Sequence, residues 1–111
     1  MLRSGRLRAL AVTTATPSKA LPGIPSLGEF VPGYEASAWQ GLGVPKGTSP
    51  EIIDKLNVAI NAALVDPKLK TRLSDLGGEA LAGSSADFGK LIADETEKWA
   101  RVVKFSGAKP D

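Results

Sequence analysis

Apolar and polar positions along this chain follow two different periods, one before Pro45 and one after it. Over residues 7–14, Leu7, Ala9 and Ala11 alternate with Arg8, Leu10 and Val12, and both faces become apolar after Arg8. That pattern predicts a strand covered on both sides, as in an α/β sheet, with Gly5 as the turn residue before it. Residues 17–32 carry four prolines, with Gly23 and Gly28 among them. Each proline lacks a donor and restricts its predecessor, so the stretch holds neither a long helix nor a central strand. It reads as a connector with one short helical turn over 25–30, turning Leu27 and Phe30 inward. The run 31–45 then reads as extended chain, with Ala38, Gln40, Leu42 and Val44 on one face and Ser37, Trp39, Gly41 and Gly43 on the other. Two glycines on one face weaken a strand unless a backbone or ligand must come close. A crossing between two halves of a larger molecule fits this run, and so does a plain half-buried strand.

Beyond Pro45 the helical period takes over. Thr48 as N-cap places Glu51 at the third helical position, while Ser49 as N-cap places Pro50 at the first. The helix runs to about residue 65 with Ile52, Leu56, Ile60 and Ala63 or Leu64 as its buried stripe, widened by Ile53. Asp66 and Pro67 restart the chain, and a second helix carries Leu69, Leu73 and Leu76 inward until Gly77 and Gly78 stop it. Residues 79–82 are short and extended. Ser84 or Ser85 caps a third helix whose core stripe is Phe88, Leu91, Ile92, Trp99, Val102 and Val103. On its other side Asp94 with Lys98 and Glu97 with Arg101 form i,i+4 pairs worth about 0.2–0.5 kcal/mol each. Gly107 ends this helix and Pro110 follows. The order is strand, connector, strand, two helices, short strand, helix, an α/β arrangement. Three strands, one glycine-rich and one very short, are a thin sheet for helices this apolar, which implies a partner or a remainder.

Composition narrows the chemistry. A chain of 111 residues fits one small domain with a marginal core. The net charge is +2, yet the first 28 residues hold Arg3, Arg6, Arg8 and Lys19 and no acid. Cysteine and histidine are both absent, which removes disulfides, thiolate chemistry, the commonest metal ligand and the usual general base near neutral pH. Ser-His-Asp and Cys-His nucleophiles are therefore excluded within the chain, and neither an enzyme, a metal site nor a cofactor is expected. Asp94, Glu95 and Glu97 read as a solvated helix face, and Lys46-Gly47-Thr48 lacks the glycine spacing of a phosphate loop. The three arginines have no interleaved aromatics, so no nucleic-acid partner is expected. No apolar run approaches the roughly 20 residues that span a bilayer. The apolar stretch Ala9 to Val12 is too short for a signal peptide, which implies a cytoplasmic location as encoded. Trp99 reads as core, where truncation costs about 3–5 kcal/mol. Trp39, among Ser37, Gln40 and Gly41, reads either as the wall of a ligand pocket or as an interdomain packing residue.

Several stretches in series carry a family resemblance: Ser4 through Thr13, Ala20 through Leu27, Pro32-Gly33-Tyr34-Glu35-Ala36-Ser37-Ala38-Trp39-Gln40-Gly41-Leu42, Val44 through Asn57, and Trp99 through Pro110. Together the chain resembles the C-terminal part of the tripartite tricarboxylate transporter substrate-binding proteins, the Bug-type periplasmic receptors of bacteria. Ala38 stands where that family carries a second serine, Gly43 stands in an apolar position, and Phe105-Ser106 replaces a small or charged pair. The resemblance implies a C-terminal fragment of a two-lobed periplasmic-binding-protein type II fold. In it, residues 1–38 are the remnant of the second lobe and connector, 39–45 the hinge-crossing strand, and 46–111 the helical part of the first lobe. It implies a receptor that binds a small organic acid and passes it to membrane transporter subunits. Tyr34, Ser37 and Trp39 then lie nearest the ligand, Gly41 and Gly43 lie at the hinge, and the parent family is periplasmic. A truncated form of this kind is expected not to bind ligand alone. The alternative is a small α/β interaction module that self-associates through an exposed apolar face.

Overall fold

Local capping chemistry sets the helix boundaries in the computed structural model, which describes residues 5–109. Arg3 and Pro110 lie outside the described residues. Helix α1 spans Pro50–Leu64, with Ser49 as its extended N-cap and Pro50 at its first position. Thr48, the other candidate cap, gives its hydroxyl to the Pro45 carbonyl instead (2.8 Å). Helix α2 spans Pro67–Asp75. One Asp66 carboxylate oxygen accepts from the backbone N–H groups of Lys68 (2.9 Å) and Leu69 (3.0 Å), satisfying two donors that a helix start leaves open. Past its end Gly77 takes φ +81°, and the Gly78 N–H reaches back to the Leu73 carbonyl (2.9 Å), a Schellman closure. Helix α3 spans Ser85–Ser106 between Ser84 and a left-handed Gly107. The Ser84 hydroxyl accepts from the Asp87 N–H (3.1 Å) while Asp87 accepts from the Ser84 N–H (2.9 Å) and hydroxyl (2.7 Å). In the proline-rich connector a single 3₁₀ turn forms over Leu27–Glu29. Leu27 is half-buried, but Phe30 is 68% exposed and does not turn inward as expected.

The expected strands differ from the observed backbone. Residues 8–11, 34–45 and 78–84 take no regular secondary structure, and the described residues contain no ladder, only an isolated parallel bridge between Val12 and Ser26. Alternation reports that a segment has two unlike faces; it carries no information about the strand that must lie beside it. Gly5 does take the turn conformation, with φ +70°.

The chain divides into two compact units. The first holds the described residues up to Gln40 together with Leu73–Gly78. Its seam runs through Val12, whose N–H reaches Pro25 (2.9 Å) and whose carbonyl accepts from Leu27 (2.8 Å). Ala36 closes the seam by donating to Thr13 (2.9 Å).

The second unit holds Gly41–Arg72 and the described residues from Glu79 on. Here Asn61 pairs with both backbone groups of Gly83, donating to its carbonyl (2.9 Å) and accepting from its N–H (3.1 Å). Asn57 donates to the same carbonyl (2.9 Å) and accepts from Asn61 (3.1 Å). This clamp sets the phase of α1. Ile53, Ile60 and Leu64 are half-buried beside the two asparagines, whereas Ile52 (51% exposed) and Leu56, expected in the stripe, face outward. On α3 the half-buried positions are Phe88, Leu91, Glu95 and Lys98. Ile92, Val102, Val103 and Trp99 (41% exposed) are not core, so the cost expected of a buried tryptophan does not apply. The charge pairs also shift. Asp94 pairs with Lys90 (2.5 Å), Lys98 turns to Glu95 (2.5 Å), and Glu97 meets Arg101 (2.9 Å) as the spacing predicts. Glu95 also accepts from the Trp99 indole N–H (2.8 Å), which explains an acid so near the apolar stripe.

Gly41 lies against the ring tip of Phe88, where an added Cβ would sit 2.1 Å from Cζ. Gly41→Ala is expected to cost about 1–3 kcal/mol by overpacking. In the Phe88→Ala background urea denaturation should find most of that cost gone; an undiminished penalty there rules out the ring as its cause.

The hydroxyl and backbone hydrogen bonds from Ser84 hold the Asp87 carboxyl below its ordinary value of 3.8. The unfolded chain therefore takes up this proton first. The cap's contribution is whole above about pH 4 and is lost as pH falls through the lowered range. Far-UV circular dichroism during acid titration should show a loss of α3 helicity that Asp87→Asn flattens.

Candidate functional site

The residues singled out for ligand contact, Tyr34, Ser37 and Trp39, occupy one irregular segment in the first unit. The segment is aimed by what precedes it. Gly33, at φ +82°, makes the turn after the 3₁₀ segment, and the Tyr34 N–H closes it onto the Val31 carbonyl (3.0 Å). The Tyr34 carbonyl then passes so near Gly28 that a Cβ there would lie 3.0 Å from it. Two residues on, the Ala36–Thr13 hydrogen bond fixes the segment to the seam.

Beneath it lies Ser26, 2% exposed, the only buried side chain among the described residues. Its hydroxyl donates to the Thr14 carbonyl, and its N–H donates to the Glu29 carboxylate (3.0 Å). A buried hydroxyl left without a partner is costly, and this one is satisfied. Thr14 in turn gives its own hydroxyl to the Thr16 carbonyl (2.6 Å). Thr13, Thr14 and Ser26 thus form a hydrogen-bonded base for the segment. The Ser-x-x-Glu spacing of Ser26 and Glu29 is the sequence signal that points to this base.

Ser37 is half-buried and donates its hydroxyl to the Glu35 carboxylate (2.5 Å). Tyr34 and Trp39 are exposed. The three share one segment, and no hydrogen bond joins Tyr34 to Ser37. A separate open depression of 550 Å³ in the same unit is lined by Thr13, Thr14, Ser18, Ser74 and Asp75 among others, and by none of these three. Gly41 and Gly43 belong to the second unit, Gly41 against Phe88 and Gly43 in open space. Among the described residues no group of three or more acidic, histidine or cysteine side chains is arranged to hold a metal, and no helix is long and apolar enough to cross a membrane.

Comparison with known proteins adds what this geometry lacks. The family described as the tripartite tricarboxylate transporter family receptor matches residues 1–108. Over 104 residues the chain is 41% identical to a Pseudomonas knackmussii protein of the clcB-clcD intergenic region, covering 92% of this chain and 62% of that one. It is 38% identical over 109 residues to protein BugT of Bordetella pertussis, covering 97% of this chain but 33% of BugT. A solved R. palustris protein with adipate matches with a TM-score of 0.80 and 36% identity, over 99% of this chain and 37% of that one. The chain thus spans 62% or less of the length of these relatives.

Ser26→Ala removes the donor to Thr14 inside a buried site, at an expected cost of about 1–3 kcal/mol. Hydrogen exchange should show the amides of Val12, Leu27 and Ala36 losing protection together. Loss confined to Leu27 would mean that Ser26 does not support the segment.

Proposed function

From the premise that this chain belongs to the tripartite tricarboxylate transporter receptor family, we propose that it forms the C-terminal part of a solute-binding receptor for a small organic acid. The observation that carries this reading is the match, along 99% of the chain, to an R. palustris protein solved with adipate. The family is one of transport receptors.

In this reading the parent receptor works in the periplasm and passes its solute to membrane transporter subunits. Residues 1–38 belong to one lobe, 39–45 cross between lobes, and 46–111 belong to the other, with Gly41 and Gly43 in the crossing. Tyr34, Ser37 and Trp39 form one wall of the ligand site. Ser37 gives this wall a particular chemistry. Its hydroxyl proton is held by Glu35, and an incoming carboxylate competes for that same proton. Binding therefore requires the hydroxyl to turn from an internal acid to an external one. Trp39 supplies flat apolar area for the methylenes between the acid groups of a dicarboxylate.

The test is a hybrid in which this chain replaces the matching part of the R. palustris protein. The hybrid is expected to bind adipate or another short dicarboxylate saturably by isothermal titration. Trp39→Ala and Ser37→Ala should each weaken binding about tenfold or more, equivalent to about 1.4 kcal/mol. The 111 residues on their own should show no micromolar binding, having only one wall of the site. A hybrid that ignores every dicarboxylate while its parent binds adipate refutes the reading.

A further inference from the structure

Ser37 has one hydroxyl proton, and its partner is already chosen. The Ser37 Oγ lies 2.5 Å from Oε1 of Glu35, and a carboxylate can only accept, so Ser37 is the donor. That distance belongs to hydrogen bonds strengthened by charge, which are roughly twice as strong as neutral ones. Ser37 is half-buried, and what its oxygen has left to offer is lone pairs. Toward a ligand, Ser37 is an acceptor.

This asymmetry sorts the groups that a ligand could bring. A carboxylate brings acceptors only. Either it meets the Ser37 lone pairs with nothing to give them, or it takes the proton and leaves Glu35 without that donor. In both cases it sets a second negative charge near the first. A carboxamide or a hydroxyl brings its own proton. It donates to the Ser37 oxygen while Ser37 goes on donating to Glu35, so no bond is surrendered and each polarises the other.

Resting on the receptor reading above, we propose that Glu35 is a positioning residue that sets the substrate class of this wall by holding the Ser37 proton. The class is a small organic acid whose end at Ser37 carries an N–H or O–H donor, a carboxamide or a hydroxyl, in place of a second carboxylate. The ligand's own carboxylate lies at its other end. Dicarboxylates still bind, at the cost of turning the Ser37 hydroxyl away from Glu35. Both parts of the selector, Glu35 and Ser37, stand with one residue between them in the same segment of this chain.

The experiment titrates the hybrid described above with adipate and with adipamic acid, its half-amide, by isothermal titration. The two have the same chain length and differ in one terminal group. The half-amide is expected to bind about tenfold or more tightly than adipate, as when a site built for a donor meets an analogue lacking it. Glu35→Gln supplies an amide that donates to Ser37 and frees the hydroxyl proton for the ligand. It should move the preference about tenfold or more toward adipate. A merely structural role for Glu35 would lower both affinities together and leave their ratio unchanged. In the Ser37→Ala background the same substitution should shift the ratio far less, because the proton it redirects is gone. Should Glu35→Gln not fold, the two ligands on the unsubstituted hybrid decide alone. Adipate binding as tightly as the half-amide, a ratio that Glu35→Gln leaves unmoved, or an undiminished shift in the Ser37→Ala background would each overturn the proposal. In those cases the hybrid still binds an organic acid and the receptor reading stands. A hybrid that binds neither ligand, while its parent binds adipate, refutes the receptor reading and this proposal with it.

Discussion

Asn61 engages both the N–H and the carbonyl of Gly83, and Asn57 adds a second donor to that carbonyl. A side-chain amide used this way does the work of a neighbouring strand, matching one donor and one acceptor of extended backbone. It ties the entry to α3 onto α1 across 22 residues of sequence. It also decides which face of α1 turns toward the rest of its unit. Ile53, Ile60 and Leu64 follow the asparagines inward, and Ile52 and Leu56 are left outside. Much of the second unit's arrangement follows from that one backbone pairing.

The first unit has a related logic with different parts. Val12 and Ser26 meet in a single bridge, the Ser26 hydroxyl is satisfied by Thr14, and Ala36 joins the seam at Thr13. Polar pairing rather than a buried apolar cluster holds these places, since no apolar side chain among the described residues is fully buried. Most of the helices' order therefore comes from local devices: Ser49 with Pro50, the Asp66 carboxylate, the Ser84–Asp87 exchange, and left-handed Gly77 and Gly107. Such devices fix where a helix starts and stops but add modest stability, and tertiary burial ordinarily supplies the larger share.

For the candidate site, Tyr34, Ser37 and Trp39 came forward through the family resemblance of the segment that holds them, Trp39 also standing out among small and polar neighbours. In the structure the three residues share a segment without regular secondary structure. Less legible was what each side chain would be doing. Ser37 is engaged with Glu35, a contact between residues two apart that strand alternation favours but does not require. Ser26, the best-ordered side chain of the seam, passed unremarked inside a proline-rich connector, although its spacing to Glu29 was there to be read.

Sequence alone determined the helix limits, the turns and the family, because capping, proline and glycine act within a few residues and serial motifs survive divergence. Two helix starts were ambiguous: Thr48 or Ser49, resolved by the Thr48 hydrogen bond to Pro45, and Ser84 or Ser85, resolved by the Ser84–Asp87 exchange. Only the tertiary structure decided which apolar residues are covered, which charges pair, and whether an extended segment becomes part of a sheet. Lys90 rather than Lys98 meets Asp94 because Lys98 is drawn to Glu95 beside Trp99. Periodicity names a face, but burial depends on what lies opposite it, and for Leu42, Leu81 and Ile52 nothing among the described residues covers them enough to exclude water.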